Sequence, residues 1–214
     1  MSHTLGVRQA QKRRTRQALL DAALRLLEEQ SLSSLGLREV TRAVGVAPTA
    51  FYRHFRDMAD LGVALVEEAL GSLHLALTAL LSATGERAGD DDGEERIAAT
   101  VELIAAYVRA HPAHVRFIAR EQHGGVQAVR AAINGQLALF AQEVKDQFAG
   151  EPGTAGWAED DLLMLAGMYV DHMVMTASAL LEAQGDPAAA ERVAATARRR
   201  LRLVSLGRRH WLDV

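Results

Sequence analysis

The chain lacks cysteine altogether, and aromatic residues make up only 5% of its 214 positions. Without thiols there is no disulfide framework, no thiolate zinc site and no cysteine nucleophile. Proline occurs only four times, and Ala and Leu are abundant, a composition that favours helices. The first six residues contain no apolar signal core, so a cytoplasmic protein is expected. A hydrophobic content of 49% argues against a disordered chain.

The net charge of -3 is unevenly distributed along the chain. Residues 1–56 contain ten basic and four acidic side chains and carry +6, whereas residues 57–214 contain 14 basic and 23 acidic side chains and carry -9. A basic segment can concentrate a polyanion while the acidic remainder repels non-specific contact. A solvated charged surface would give the same counts, so charge alone leaves both interpretations open.

Hydrophobic periodicity predicts about nine helices and no strand. The first helix is expected at 9–30 and a short second helix at 37–44, with Gly45 as its left-handed cap. A third helix is expected to begin at Pro48 and to end near Phe55. The remaining helices are expected at 57–81, where Asp57 and Asp60 form a weak capping box, and at 94–110, 112–121, 125–149, 159–184 and 187–212.

One apolar segment, 162–181, is long enough to cross a membrane, since a spanning helix needs about 20 apolar residues. The adjacent Asp171 and His172 lie in its middle, where charged groups are costly in lipid. We therefore expect this segment to be a buried helix of a bundle or of a dimer interface.

The segment 37–55 has the layout of a helix-turn-helix, two short helices separated by a Gly-centred turn. Phe51 and Phe55 are four residues apart and define the inward face of the third helix. Thr49 and Arg53 then point most directly outward. An ordinary helical hairpin with a charged outer face is the alternative.

This outward face is chemically suited to DNA. Arg53 can donate two hydrogen bonds to a guanine edge, and Thr49 can bond a base or contact a thymine methyl. Ala50 permits close approach, and Tyr52 is better placed for phosphate oxygens. Basic residues of the two preceding helices extend the same interface. The candidate DNA-binding residues are Arg14, Arg16, Arg38, Pro48, Thr49, Ala50, Tyr52, Arg53 and His54, with Arg42 as a further phosphate contact.

Residues 9–60 resemble the DNA-binding domain of TetR-type regulators, which have a long first helix followed by a helix-turn-helix. The resemblance rests on Gly45-Val46, on Tyr52-Arg53-His54-Phe55 and on Leu61. Many members of the family place a Lys at the start of the fourth helix, where this chain has Met58, so the resemblance does not extend to that phosphate contact. A closer resemblance is to the repressors of unsaturated fatty acid synthesis and acyl-CoA desaturation (the DesT and FabR type), through residues 6–16, 37–40 and 47–57 and more weakly through 117–121 and 129–133.

The resemblance implies a homodimer that binds a palindromic DNA operator and senses long-chain acyl-CoA. The expected organisation is all-α, with a three-helix DNA-binding domain at 1–57 and a helical-bundle domain for ligand binding and dimerisation at 58–214. Whether the ligand strengthens or weakens operator binding does not follow from the sequence.

Four residues of the predicted eighth helix, Met164, Met168, His172 and Met175, share one face at spacings of four, four and three. They line an acyl tunnel or, alternatively, form plain core or a dimer contact; Met suits either role because it adapts to irregular apolar space. Further candidates for the tunnel are Leu70, Leu73, Leu77, Ile104, Phe117 and Phe140. Since coenzyme A carries phosphates and guanidinium pairs well with phosphate, the candidates for its basic entrance are Arg116, Arg120 and Arg130.

Signals for an enzyme are weak. His111 and His114 have a spacing that could hold a metal, but no third ligand is recognisable. Asp171 and His172 are adjacent and point about 100° apart on a helix, so they do not form a catalytic dyad. The sequence therefore predicts a one-component repressor that is not an enzyme and has no metal or cofactor besides its effector. The alternatives are a regulator of the same fold that answers another hydrophobic ligand at an efflux or catabolic gene, and a helical enzyme or lipid carrier that does not bind DNA.

Overall fold

A computed structural model describes residues 2–85, 92–208 and 211–213, and over these ranges the regular secondary structure is helical. The all-α prediction is confirmed. The helices are α1 (Ser2–Leu26), α2 (Leu37–Val44), α3 (Pro48–Phe51), α4 (Met58–Gly85), α5 (Asp92–Ala110), α6 (Pro112–Glu121), α7 (Gln127–Ala149), α8 (Glu159–Glu182) and α9 (Pro187–Arg208), with 3₁₀ turns at Pro152–Thr154 and Trp211–Asp213.

The chain forms two compact units. The N-terminal unit comprises Met1–Ala69 and Arg116–Ile133, and the C-terminal unit comprises Leu70–Val115 and Asn134–Val214. The expected boundary at residue 57 concerns function rather than compactness and stays a prediction.

α1 begins seven residues earlier than the sequence predicts and ends at Leu26, before the predicted end at residue 30. Its second half has a buried stripe that includes Leu20 and Ala23 and continues to Leu27 just after the helix, and these residues are at most 2% exposed. Residues 7–14 are all exposed. Hydrophobic periodicity cannot locate such a segment, because the helix there has no apolar face.

The turn between α2 and α3 has the predicted chemistry. Gly45 adopts φ +74°, in the left-handed region, and its N–H donates to the carbonyls of Thr41 and Arg42. Pro48 is the first residue of α3, where a missing N–H costs no hydrogen bond. α3 ends at Phe51 rather than at Phe55, but a last turn continues the helical path, since the Phe55 N–H donates to the Phe51 carbonyl over 3.0 Å.

The predicted cap of α4 is confirmed. The Asp60 N–H donates to Asp57 Oδ1 over 2.8 Å, while Asp60 Oδ2 accepts the backbone N–H of Arg56 over 2.9 Å. The Arg56 guanidinium also donates to Asp60, and these bonds hold the pKa of that carboxyl below its ordinary value. The cap fixes the chain direction between α3 and α4.

In the C-terminal unit, α5, α8 and α9 pack against one another. One core cluster contains Ile97, Val101 and Leu201, and a second contains Ile104, Val108 and Leu180. By length and composition alone, two helices could cross a membrane, Met58–Ala79 and Glu159–Glu182. The second of these is the segment that the sequence analysis expected to be buried; in the single chain it buries one face and exposes the other.

Candidate nucleic-acid interface and ligand cavity

Residues 48–55, here called the recognition segment, comprise α3 and the turn that follows it. The segment buries its phenylalanines and exposes the opposite face, as the sequence spacing predicts. Phe51 and Phe55 are 0% and 3% exposed, with ring centroids 5.5 Å apart. Thr49 and Arg53 are exposed, and Tyr52 is 64% exposed although it is a large aromatic residue. The outward side chains are therefore free to contact a partner, while the two phenylalanines fix their direction.

α2 also has one buried face and one exposed face. Val40 and Thr41 are 0% and 1% exposed, and the Thr41 hydroxyl donates to the Leu37 carbonyl over 3.1 Å, so the buried oxygen is satisfied within its own helix. Arg38 and Arg42 are exposed on the other side of α2. This arrangement places two cations beside the recognition segment without any cost of burying charge.

A cluster of positive charge surrounds His54. Burial lowers the pKa of His54 below its ordinary value, and the positive charges of Lys12, Arg16 and Arg53 lower it further. Arg16 also lies over the Phe55 ring, with its guanidinium carbon 5.1 Å from the ring centroid. Sequence reasoning missed Lys12, although its spacing of four from Arg16 on α1 is a signal that the two share a face.

The other predicted DNA-binding residues lie on the N-terminal unit with different environments. Pro48 is exposed and Ala50 is half-buried on α3. Arg14 is exposed on α1, but it is two residues from Arg16 and thus about 200° around the helix. The structure accordingly brings together Arg16, Arg53 and His54, and directs Arg14 elsewhere.

The arginines expected at a coenzyme A entrance make protein contacts within the N-terminal unit. Arg120 donates to the carbonyls of Leu27 and Gln30 over 2.8 and 2.6 Å and so caps the C-terminal end of α1. Arg116 lies 3.6 Å from a carboxylate oxygen of Glu28. Arg130 donates to the Gly124 carbonyl. A phosphate would have to compete with these partners, and the phosphate contacts stay predictions.

The neighbouring Glu121 also contacts the segment that follows α1. It is 1% exposed, and its Oε1 accepts the Leu32 N–H over 2.9 Å. Glu121 therefore accepts a backbone N–H of the segment that follows α1, and Arg120 donates to two backbone carbonyls of the same segment. Sequence reasoning missed these contacts, because about 90 residues separate the partners.

The C-terminal unit contains a cavity of about 60 Å³ whose wall comes from α4, α5, α7, α8 and α9. A cavity of this size holds a few waters. Leu77 and Phe140, which the sequence analysis proposed, line it. The other apolar lining residues are Ile97, Val144, Phe148, Met173 and Leu201, and the polar ones include Thr78, Arg96, Thr100, Glu143, Gln147, Glu151, Tyr169 and Ser205.

Charged groups form one part of the cavity wall. Glu151 forms ion pairs with Arg96 and Arg208, with nitrogen–oxygen distances of 2.9 and 2.6 Å. The Arg208 side chain is 8% exposed, and its guanidinium lies over the Phe148 ring. Burial raises the pKa of Tyr169, whose side chain is hydrogen-bonded to that of Ser205. This network was missed because its members come from different helices and form no local motif.

The remaining predicted ligand-binding residues lie away from this cavity wall. Met164, Met168 and Met175 are 47%, 49% and 59% exposed on α8. His172 is half-buried, with Nε2 3.3 Å from the Ala197 carbonyl, and lines a surface groove of α8 and α9 together with Met175. Leu73 is half-buried, and Phe117 is 1% exposed in the N-terminal unit.

The all-helical fold and the exposed face of α3 define a helix-turn-helix DNA-binding protein. Residues 19–65, from the second half of α1 into α4, match the family model for bacterial regulatory proteins of the tetR family. Residues 19–65 are thus similar to the DNA-binding region of that family of transcriptional regulators.

Solved structures show the same fold over most of the chain. The fatty acid degradation regulator FadR from Bacillus halodurans is 16% identical, with a TM-score of 0.65 over 89% of this chain and 94% of FadR. FadR from Bacillus subtilis in complex with stearoyl-CoA is 16% identical, with a TM-score of 0.67 over 88% and 97%. A protein of unknown function from Rhodococcus sp. RHA1 is 26% identical, with a TM-score of 0.56 over 87% and 92%.

Proposed function

We propose that this protein is a cytoplasmic, homodimeric repressor of the TetR family that acts on unsaturated fatty acid metabolism genes, with an operator affinity controlled by long-chain acyl-CoA. The observation that carries the DNA-binding part is the outward face of α3, where Thr49, Tyr52 and Arg53 are exposed beside a cluster of cations. The observation that favours the ligand is the structural likeness to a FadR that was solved with stearoyl-CoA.

The DNA interface divides into base contacts and phosphate contacts. Arg53 and Thr49 point away from the buried phenylalanines and supply base contacts in the major groove. Arg38 and Arg42 on α2, with Arg16 on α1, supply phosphate contacts that position α3. In this division, Arg53 sets sequence preference and the other cations set affinity.

The exposed apolar side chains of α8 support a homodimer. Leu163 is 42% exposed, and Met164, Met168 and Met175 are more exposed than Leu163. Large apolar side chains on one helix face mark a contact surface in a soluble protein. The exposure of these methionines favours the dimer contact over the acyl tunnel. A twofold dimer would present two copies of α3 to half-sites about 34–36 Å apart, or a multiple of this distance.

The effector site is proposed at the cavity of the C-terminal unit. Its apolar wall suits an acyl chain, but a volume of about 60 Å³ admits a long chain only if the cavity widens. Burial gives about 0.8 kcal/mol per CH₂ group, so a chain of about 16 carbons supplies on the order of 10 kcal/mol to drive such widening. A ligand that must open the cavity necessarily favours the open conformation, and this is how binding would change operator affinity.

DNA binding titrated with acyl-CoA tests the proposal. Fluorescence anisotropy with DNA from the protein's own upstream region would be measured alone and with palmitoyl-CoA or oleoyl-CoA. Salt-sensitive binding that either acyl-CoA shifts by tenfold or more supports the proposal. If no salt-sensitive DNA binding occurs, the regulator assignment is wrong. If DNA binds but neither acyl-CoA changes the affinity, the effector assignment is wrong.

A second candidate is a regulator of the same fold that answers a smaller ligand with a polar group, for example at an efflux or catabolic gene. The small cavity volume and the Arg96–Glu151 pair in the wall favour this candidate. Native mass spectrometry distinguishes the two, because absence of binding at micromolar palmitoyl-CoA would exclude the acyl-CoA effector and retain the smaller ligand.

A further inference from the structure

The first half of α1 is a strongly basic helix that the helix-turn-helix fold does not require. Its residues 7–16, here called the basic extension, carry Arg8, Lys12, Arg13, Arg14 and Arg16, and the chain has no acidic residue before Asp21. Every side chain of the extension is exposed except that of Thr15, which is half-buried. The family match begins only at residue 19, after the extension has ended.

Three of these cations share one face. Arg8, Lys12 and Arg16 follow at intervals of four residues and lie within about 80° around the helix. Arg16 contacts the Phe55 ring, and Lys12 is close enough to His54 to act on it electrostatically. The face therefore runs from the end of the recognition segment, through Arg16 and Lys12, to Arg8 about 12 Å from Arg16 along the helix axis.

The composition of the extension selects a polyanion as partner. Val7 and Ala10 are its only apolar residues, so it has no stripe that could bind a membrane or a partner helix. Within the ranges that the structure describes, no ion pair joins Arg8, Lys12 or Arg13 to an acid. Like charges four residues apart also disfavour the isolated helix by a few tenths of a kcal/mol. A row of phosphates would relieve this repulsion.

We propose that the Arg8–Lys12–Arg16 face of the basic extension binds the DNA phosphates next to the groove that α3 enters. Phosphates of one strand follow every 3.4 Å along the DNA axis, so a row of about 12 Å spans three to four of them. Arg8 and Lys12 thereby add two phosphate contacts to those of the helix-turn-helix. The inference rests on the proposed DNA-binding function and extends it to residues outside the helix-turn-helix.

The salt dependence of DNA binding tests the inference. Each phosphate contact contributes about 0.9 to the slope of log K against log[salt]. In the full-length protein, the variant Arg8→Gln/Lys12→Gln should lower the magnitude of the slope by about 1.8. Its affinity for operator and for unrelated DNA should fall by the same factor, since phosphate contacts carry no sequence information. Gln keeps the helix propensity, and circular dichroism verifies the fold.

Arg13→Gln is the matched control, because it removes the same charge from the neighbouring position, about 100° away from Lys12 on the helix. Its slope should stay within a few tenths of the wild-type value, whereas Lys12→Gln alone should lose about 0.9. An unchanged slope in Arg8→Gln/Lys12→Gln, or an equal loss in Lys12→Gln and Arg13→Gln, would overturn the inference and leave the DNA-binding function intact. A wild-type protein without salt-dependent DNA binding would overturn both.

Discussion

The cations around α3 in the N-terminal unit and those around Glu151 in the C-terminal unit have different partners. In the N-terminal unit, Arg38, Arg42 and Arg53 are exposed, and no described acid pairs with them. In the C-terminal unit, Arg96 and Arg208 converge on Glu151, and exposed cations such as Arg109 and Arg202 have acidic partners as well. Paired cations contribute to structure, whereas unpaired exposed cations keep their full attraction for a polyanion. The contrast therefore separates an exposed surface whose cations have no acidic partner among the described residues from an interior whose ion pairs join helices.

The largest expected effect comes from breaking the buried network of the C-terminal unit. Glu151→Ala leaves two guanidinium groups without their carboxylate, and removal of one partner of a buried pair costs about 3–5 kcal/mol. Because Glu151 is about one-fifth exposed, we expect about 3 kcal/mol. Urea unfolding followed by circular dichroism measures this loss.

Glu102→Ala is the matched control for this variant. Glu102 pairs with Arg109, but both side chains are about two-thirds exposed, and exposed pairs contribute little. The free energy of unfolding should therefore change by about 0.5 kcal/mol or less. Equal losses of unfolding free energy in Glu151→Ala and Glu102→Ala would show that burial does not determine how much an ion pair of this unit contributes to stability.

The next effect concerns the exposed surface of the N-terminal unit. Arg53→Ala should weaken operator binding by about 1–3 kcal/mol, the value of a good bidentate contact to guanine, and should weaken binding to unrelated DNA far less. Stability should stay unchanged, since Arg53 is exposed. Anisotropy titrations with both DNAs measure the ratio. Arg199→Ala removes an exposed arginine from α9 as a control; if it weakens operator binding equally, the assignment of α3 as the recognition helix is wrong.

What the sequence predicted is local. Gly45, Pro48 and the Asp57–Asp60 cap were predicted correctly because each depends on residues at most four positions apart. The start of α1 was missed because the basic extension has no apolar periodicity. The contacts of Arg120 and the cavity wall at Glu151 were missed because their partners lie about 55 to 90 residues away. Tertiary packing, and not spacing along the chain, determines such pairs.

A smaller effect is expected from adding a cation to the N-terminal unit. Met58 is the first residue of α4 and is half-buried, at a position where the TetR resemblance implies a Lys that contacts phosphate. Met58→Lys should raise the magnitude of the salt slope by up to about 0.9 and tighten binding to any DNA severalfold. Met58→Gln controls for the loss of the thioether. A gain in both variants would point to packing instead of charge.

The smallest effect distinguishes how the two units lower the pKa of a histidine. His54 and His172 both have a lowered pKa, with burial as the first cause, but three cations act on His54 and only Arg200 acts on His172. Salt screens charge and leaves burial unchanged. Raising the salt concentration should therefore raise the pKa of His54 more than that of His172, and DNA phosphates should raise it further, so that DNA binding takes up a proton and weakens as pH rises. NMR titration of the imidazole signals measures both values.

The same shifts fix the sign of the pH dependence of folding. With a folded-state pKa below the unfolded value of about 6.5, the unfolded chain binds the proton more readily, so the free energy of unfolding falls as pH drops below about 6.5. At low salt, the free energy of unfolding of His54→Gln should fall less with decreasing pH than that of the wild type. At high salt this difference should shrink, because salt screening has already removed part of the pKa shift of His54. In His172→Gln the difference from wild type should depend little on salt. Equal salt responses in the two variants would mean that the cations around His54 are not clustered as the structure places them.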